Sequence, residues 1–184
     1  MLNSLDKRPF FTDDELARLR TLGLWDESRP SPQRLAFAGL MLCPIMMIVV
    51  HDSATTAAEF ETVVAYIRTL QREFELASRE EIEGMGTDMG LLPMVRGSWT
   101  TAQFLEAREI LAAALNRFSE PDAHAVRNAI SKAALAVARA GSPYLISLHM
   151  LDKEERDLIM ELIKALDLDK CAEGLHLLEK SSEA

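Results

Sequence analysis

Cysteine is scarce: Cys43 and Cys171 are the only two in 184 residues, far apart in sequence and without CxxC or other metal-ligand spacing. Neither a disulfide framework nor a structural zinc site is needed, because a chain of this length can bury a single-domain core without staples. Cys43 lies in an apolar run and reads as a small buried hydrophobe. A reducing, cytoplasmic setting suits both thiols. Aromatic residues are also few, at 6%, and there are only eight glycines. Alanine, leucine, methionine and glutamate fill the 48% hydrophobic and the acidic fractions, a balance that belongs to packed helices rather than twisted sheets. The expected fold class is all-α.

Positive charge is the next shortage. Twenty Lys and Arg stand against 29 Asp and Glu, for a net charge of -9. Phosphate neutralisation needs a basic patch, and the bases here are scattered among more numerous acids, so nucleic-acid binding is not expected. The opening "MLNSLDKRPFFTDDEL" carries acids where a signal peptide has an apolar h-region, which speaks against secretion. Catalytic signatures are missing as well: no Ser-His-Asp pattern, GxSxG, HExxH or dinucleotide fingerprint occurs. Residues 84–98, "GMGTDMGLLPMVRGS", hold four of the glycines, but they lack the lysine of a phosphate-binding loop and a strand before them. They read as an interhelix linker and a candidate mobile segment.

Long uncharged runs are limited to one. Leu35 to Val50, "LAFAGLMLCPIMMIVV", is shorter than the roughly 20 residues a bilayer core requires and contains Pro44. It is expected to be a central core helix running to about His51, bent or broken at Pro44. Before it, Thr12 and Glu15 make a capping box for a first helix with Leu16, Leu19 and Leu22 on one stripe, ended by Gly23. After it, a helix is expected from Thr56 to about Glu83, with Phe60, Val63, Val64, Ile67, Leu70 and Phe74 inward. A fourth spans Thr100 to Phe118. A fifth opens at "SEPDAH", capped by Ser119, with Val126, Ile130, Ala133, Ala134 and Val137 at helical spacing. An apolar connector covers 141–151, a sixth helix runs Asp152 to Leu166, and a seventh runs Asp169 to about Lys180.

Two of these helices repeat a pattern. Thr56 with Glu59 and Asp152 with Glu155 are matching cap pairs, after which Val63, Val64, Ile67 and Leu70 align with Ile159, Met160, Ile163 and Leu166. "MMIVVHDSATTAAEFETVVAYI" and the downstream "AISKAALAVARAGSPYLISLHMLDKEERDLIMELIKAL" resemble the two copies found in the TerB-like tellurite-resistance family, over about residues 36–71 and 100–168. The resemblance implies a compact bundle of about seven helices in two pseudo-symmetric halves, a single domain over 1–184 with its core at 36–168. The family's Asp-Gly is Asp52-Ser53 here, the acid that often follows is Ala54, and the second copy has Ala140-Gly141 without an aspartate.

For function, the resemblance implies a non-enzymatic interaction module with a protein partner, a membrane-proximal complex being one setting and a stress or tellurite-resistance role another. It also implies a divalent-metal site as an alternative, at Asp52, Glu59 and, less directly, Glu155. Hard cations take about six to eight oxygen ligands, more than three carboxylates supply without water or carbonyls. A third alternative is a small-ligand carrier or an enzyme of unspecified reaction, with a pocket near His51 and the 141–151 connector. His51 beside Asp52 invites an acid–base reading, but adjacent side chains at a helix end point about 100° apart, and a histidine there suits the helix dipole. Glu173 and His176 make a lone ExxH where a di-iron bundle needs two. His124 and His149 share no spacing with it, and the nine methionines read as core filler.

Overall fold

The computed structural model describes residues 2, 5, 9–51, 57–75, 99–141 and 153–170. Among these residues there are six α-helices, one 3₁₀ turn and no strand: α1 (Asp13–Thr21), α2 (Pro32–His51), α3 (Ala57–Phe74), α4 (Thr101–Leu115), α5 (Glu120–Gly141), α6 (Lys153–Ala165) and the turn Leu168–Lys170. The all-α expectation holds. The expected seventh helix begins as this 3₁₀ turn, and its continuation to Lys180 lies outside the described residues, as do the linker at 84–98 and the connector from 142 onward.

Local chemistry accounts for the helix starts. Thr12 accepts from the Glu15 amide at 3.3 Å while the Glu15 carboxylate accepts from the Thr12 amide at 2.9 Å, which completes the capping box of α1. Thr100 and Gln103 form a second box at the start of α4. Ser119 Oγ accepts from the Asp122 amide at 3.4 Å at the start of α5.

The end of α3 differs from expectation. The helix stops at Phe74, not near Glu83, because Glu75 adopts φ 51°, a left-handed conformation uncommon outside glycine. Arg34 at the start of α2 donates Nη1 to the Glu75 carbonyl at 3.1 Å and so serves the orphan end of that helix. A parallel device ends α6: Asp167 has φ 53°, and Arg127 of α5 donates Nε to the Leu166 carbonyl at 3.1 Å.

Helix α2 is the axle of the fold, packed by α3, α4, α5 and α6. It is long and apolar enough to cross a membrane by length and composition alone, yet 89% of its Pro32–Val49 stretch is buried inside the protein. It is therefore a core helix here. Pro44 sits inside it without breaking it. Proline removes the bond to the Leu40 carbonyl. Two donors work next to that gap, Cys43 Sγ to the Gly39 carbonyl at 3.2 Å and the Tyr66 hydroxyl to the Met41 carbonyl at 3.4 Å. Gly39 allows Leu24 to press against α2, since a Cβ there would lie 2.8 Å from Leu24 Cδ2.

The matched positions of the repeat share their burial at three of four pairs: Val63 and Ile159 are buried, Val64 and Met160 half-buried, Leu70 and Leu166 buried. Ile67 is half-buried where Ile163 is buried. The two helices nevertheless differ in length, 18 residues against 13, so the likeness described belongs to their inner faces.

The N-terminal corner is closed by aromatic rings and charge. Phe10, Phe37 and Phe118 meet with centroids 5.1 to 6.4 Å apart. Glu15, 5% exposed, receives Arg117 Nη2 at 2.6 Å, and the Arg117 guanidinium lies 5.9 Å from the Phe10 ring centroid. Arg18 bridges to Glu106 and Glu109 of α4, both at 2.9 Å. Leu2 and Leu5 are also buried, and Gln33 holds that segment by donating to the Leu5 carbonyl at 3.1 Å and accepting from the Phe10 amide at 2.8 Å.

Candidate functional site

Among the described residues, a concave feature lies along α3 and α5. These helices pack against each other, and along their shared seam runs an open cleft of about 460 Å³. Its walls are built from small residues at helical spacing, Thr62, Ala65 and Thr69 on α3 and Ala125, Ala129 and Ala136 on α5. Small side chains leave room between the helices, which is why a hollow persists where two larger faces would interdigitate. Tyr66 and Phe74 contribute buried rings, and Glu73, Asp122, Asn128 and Lys132 supply polar groups.

The polar content of the walls is partly spent on the helices themselves. Thr62 and Thr69 donate their hydroxyls to the Ala58 and Ala65 carbonyls, at 2.8 and 3.3 Å. Asp122 accepts from Ser119 Oγ at 2.9 Å. The Tyr66 hydroxyl is turned inward to Met41, and burial pushes its pKa far above the usual tyrosine value. Burial does the same to the Cys43 thiol, which is held in the core as a non-nucleophilic group. Among the described residues, no histidine, cysteine or serine lines the cleft. Small apolar walls with a few polar groups around them have the composition of a site that receives an apolar group.

The sequence-derived metal candidates fare unevenly. Glu59 is on the first turn of α3 and is 4% exposed. Asp52 lies outside the described residues, and Glu155 is on α6 with its side chain outside the described set. Among the described residues no three His, Cys, Asp or Glu side chains converge. His51 is the last residue of α2, and its side chain is likewise not described. His124 is exposed on α5 and is not among the residues that line the cleft. His149, Glu173 and His176 lie outside the described residues.

Two arginines went unremarked in the sequence and matter in the structure. Arg117 seals the N-terminal corner. Arg127 is 4% exposed in the middle of the buried face of α5; its Nη groups lie 3.9 Å from Glu120 and 3.7 Å from Asp167, and its Nη1 makes no hydrogen bond among the described residues. The two flanking carboxylates offset the desolvation of this cation and make it a clasp between α5 and the end of α6. The available signal was a charge standing between Val126 and Ile130, both fully buried.

No family model, curated protein or solved structure matches the chain.

Proposed function

We propose that this chain is a non-enzymatic helical interaction module of TerB-like type that holds a protein partner in the α3–α5 cleft. The observation that carries this reading is the cleft itself: about 460 Å³ of open space walled by alanines and threonines and rimmed by Glu73, Asp122 and Lys132. That volume falls within the range of specific binding sites, and helix grooves commonly receive apolar side chains of a partner. The stress or tellurite-resistance setting, and a complex close to a membrane, rest on the sequence resemblance alone. Ala65 and Ala125 are exposed and line opposite walls, so Ala65→Arg with Ala125→Arg fills the cleft without entering the core. Affinity capture from native lysate should recover proteins with the wild-type chain that the double variant loses. Identical recovery from both removes the cleft from consideration.

A second reading, a divalent-metal module using Asp52, Glu59 and Glu155, is favoured by the burial of Glu59. A carboxylate already withdrawn from bulk water gives up less hydration on ligating a cation. Titration calorimetry with Ca²⁺, Mg²⁺ and Zn²⁺ tests it, and this reading requires heat and a raised Tm that Glu59→Gln abolishes.

A further inference from the structure

We propose that the partner held in the α3–α5 cleft is a second copy of this chain, turned over so that the two α5 helices run antiparallel. This deepens the interaction-module reading and rests on it. The observation that carries it is the order of residues where α5 lines the cleft: Asp122, Ala125, Ala129 and Lys132. At 100° per residue these positions lie within about 80° of one another, so they share one face of the helix. Their spacings are three, four and three residues, a pattern that reads the same from either end except that it begins with an acid and ends with a base. A two-fold axis level with Arg127 therefore sets each Asp122 against the other copy's Lys132, and each Ala125 against its Ala129.

A symmetric interface needs a surface that complements itself, and this face does so in charge and in shape. Helix α3 adds to the charge. Arg34 at the start of α2 serves the end of α3, and Phe37, one turn further on, meets Phe118 just before α5. The last turn of α3 and the first turn of α5 are thus neighbours, and Glu73 joins Asp122 at one end of the cleft. Lys132 is exposed about 15 Å along α5 from that acidic end. Acid and base at opposite ends select the antiparallel arrangement, because a parallel copy would set like charges against each other. The alanines at the inner positions let two helix backbones approach closely. The space between α3 and α5 receives the α5 ridge of the other copy, whose cleft receives this one in return.

Each copy carries a net charge of -9, which opposes indiscriminate association. Such repulsion is screened beyond about 8 Å at physiological ionic strength, so the groups that face each other across a close seam decide the fit. Symmetry doubles every substitution. Reversing one charge breaks both Asp122–Lys132 pairs at once, whereas a chain carrying Asp122→Lys and a chain carrying Lys132→Asp complement each other at both.

The test is sedimentation velocity of the full-length chain at about 1 to 100 μM, with one chain fluorescein-labelled in mixtures. Wild type should pass from monomer to dimer across that range. Asp122→Lys and Lys132→Asp should each weaken the dimer about tenfold or more, because like charges then face each other twice. An equal mixture of the two variants should recover a dimer of wild-type affinity, and so should the chain carrying both substitutions. Ala125→Arg, at an exposed position, should hold the chain monomeric with an unchanged helical circular-dichroism spectrum. Together with Lys132→Asp, also at an exposed position, it decides the matter if Asp122→Lys unfolds. A monomeric wild type, a dimer untouched by Ala125→Arg, or a mixture of folded variants that associates no better than either alone overturns the proposal. If wild type is monomeric but loses captured partners on Ala65→Arg with Ala125→Arg, the second-copy proposal falls and the interaction-module reading stands. Unchanged capture by a monomeric wild type overturns that broader reading as well.

Discussion

Two joints in this molecule use helices of similar quality to opposite ends. At the N-terminal corner, α1 and the end of α4 are bridged by Glu15–Arg117 and by Arg18 with Glu106 and Glu109, over a ring cluster of Phe10, Phe37 and Phe118. Large side chains and matched charges fill that joint. Along α3 and α5 about half of the facing residues are alanine and threonine, the helices pack, and a cleft remains. Large, paired side chains close one joint; small ones leave open space in the other.

The largest effect should come from the closed joint. Phe37 is fully buried against Phe10 and Phe118, and Phe37→Ala should cost about 3–5 kcal/mol, read as a fall in urea midpoint without a change in slope. A cost under about 1 kcal/mol is what an exposed position gives, and it would break the contrast between the joints.

Next comes the buried ion pair. Glu15→Ala removes both the Arg117 partner and half of a capping box, and should cost about 2–3 kcal/mol, or about 4–12 °C in Tm for a chain of this size.

The same carboxylate sets a pH dependence. Burial pushes the Glu15 pKa up, but the Arg117 hydrogen bond, the Thr12 amide and the Arg117 charge outweigh burial and hold it below the ordinary glutamate range. A depressed folded-state pKa means the unfolded chain binds the proton first. Its contribution is complete above the ordinary value of 4.5 and is lost as pH falls through the lowered folded-state value. Asp26 and Glu27 are lowered too, by Ser28 and by Arg20 respectively, so acid titrations should be compared with Glu15→Gln. The stability difference between the two proteins should shrink on acidification across that window; a constant difference contradicts the assignment.

The smallest effect belongs to the open joint. Ala65→Arg and Ala125→Arg, at exposed positions, should each change stability by no more than about 0.5 kcal/mol. A large loss at either position would mean that the cleft walls are core, and the contrast between the joints would close.

Much of the fold was legible in residues that act locally. Thr12 with Glu15, Ser119 and the apolar run from Leu35 announce their helices because a cap and a stripe are encoded within a few positions. The end of α3 was not legible. Glu75 enters the left-handed region without being glycine, and the group that serves its carbonyl, Arg34, is 41 residues away. The cleft was hidden for a related reason: Ala125, Ala129 and Ala136 read as helix formers, and their smallness becomes a hollow only when α3 lies beside them. Arg127 was visible as a charge on an apolar face, but its counter-charges lie at Glu120 and at Asp167, beyond the end of α6. Of the proposed metal ligands, Glu59 was read from its place in a cap pattern, which carried no sign that it would be buried.

The wrapping of α2 also has a consequence in time. Three of the helices that cover it, α4, α5 and α6, begin 50 or more residues after its last turn, so synthesis delivers the stickiest segment well before its cover. Until Glu120–Gly141 has left the ribosome, a stretch apolar enough to enter a bilayer stands without its main neighbours. Burial of this core helix therefore comes late in synthesis, once the helices that cover it have been made.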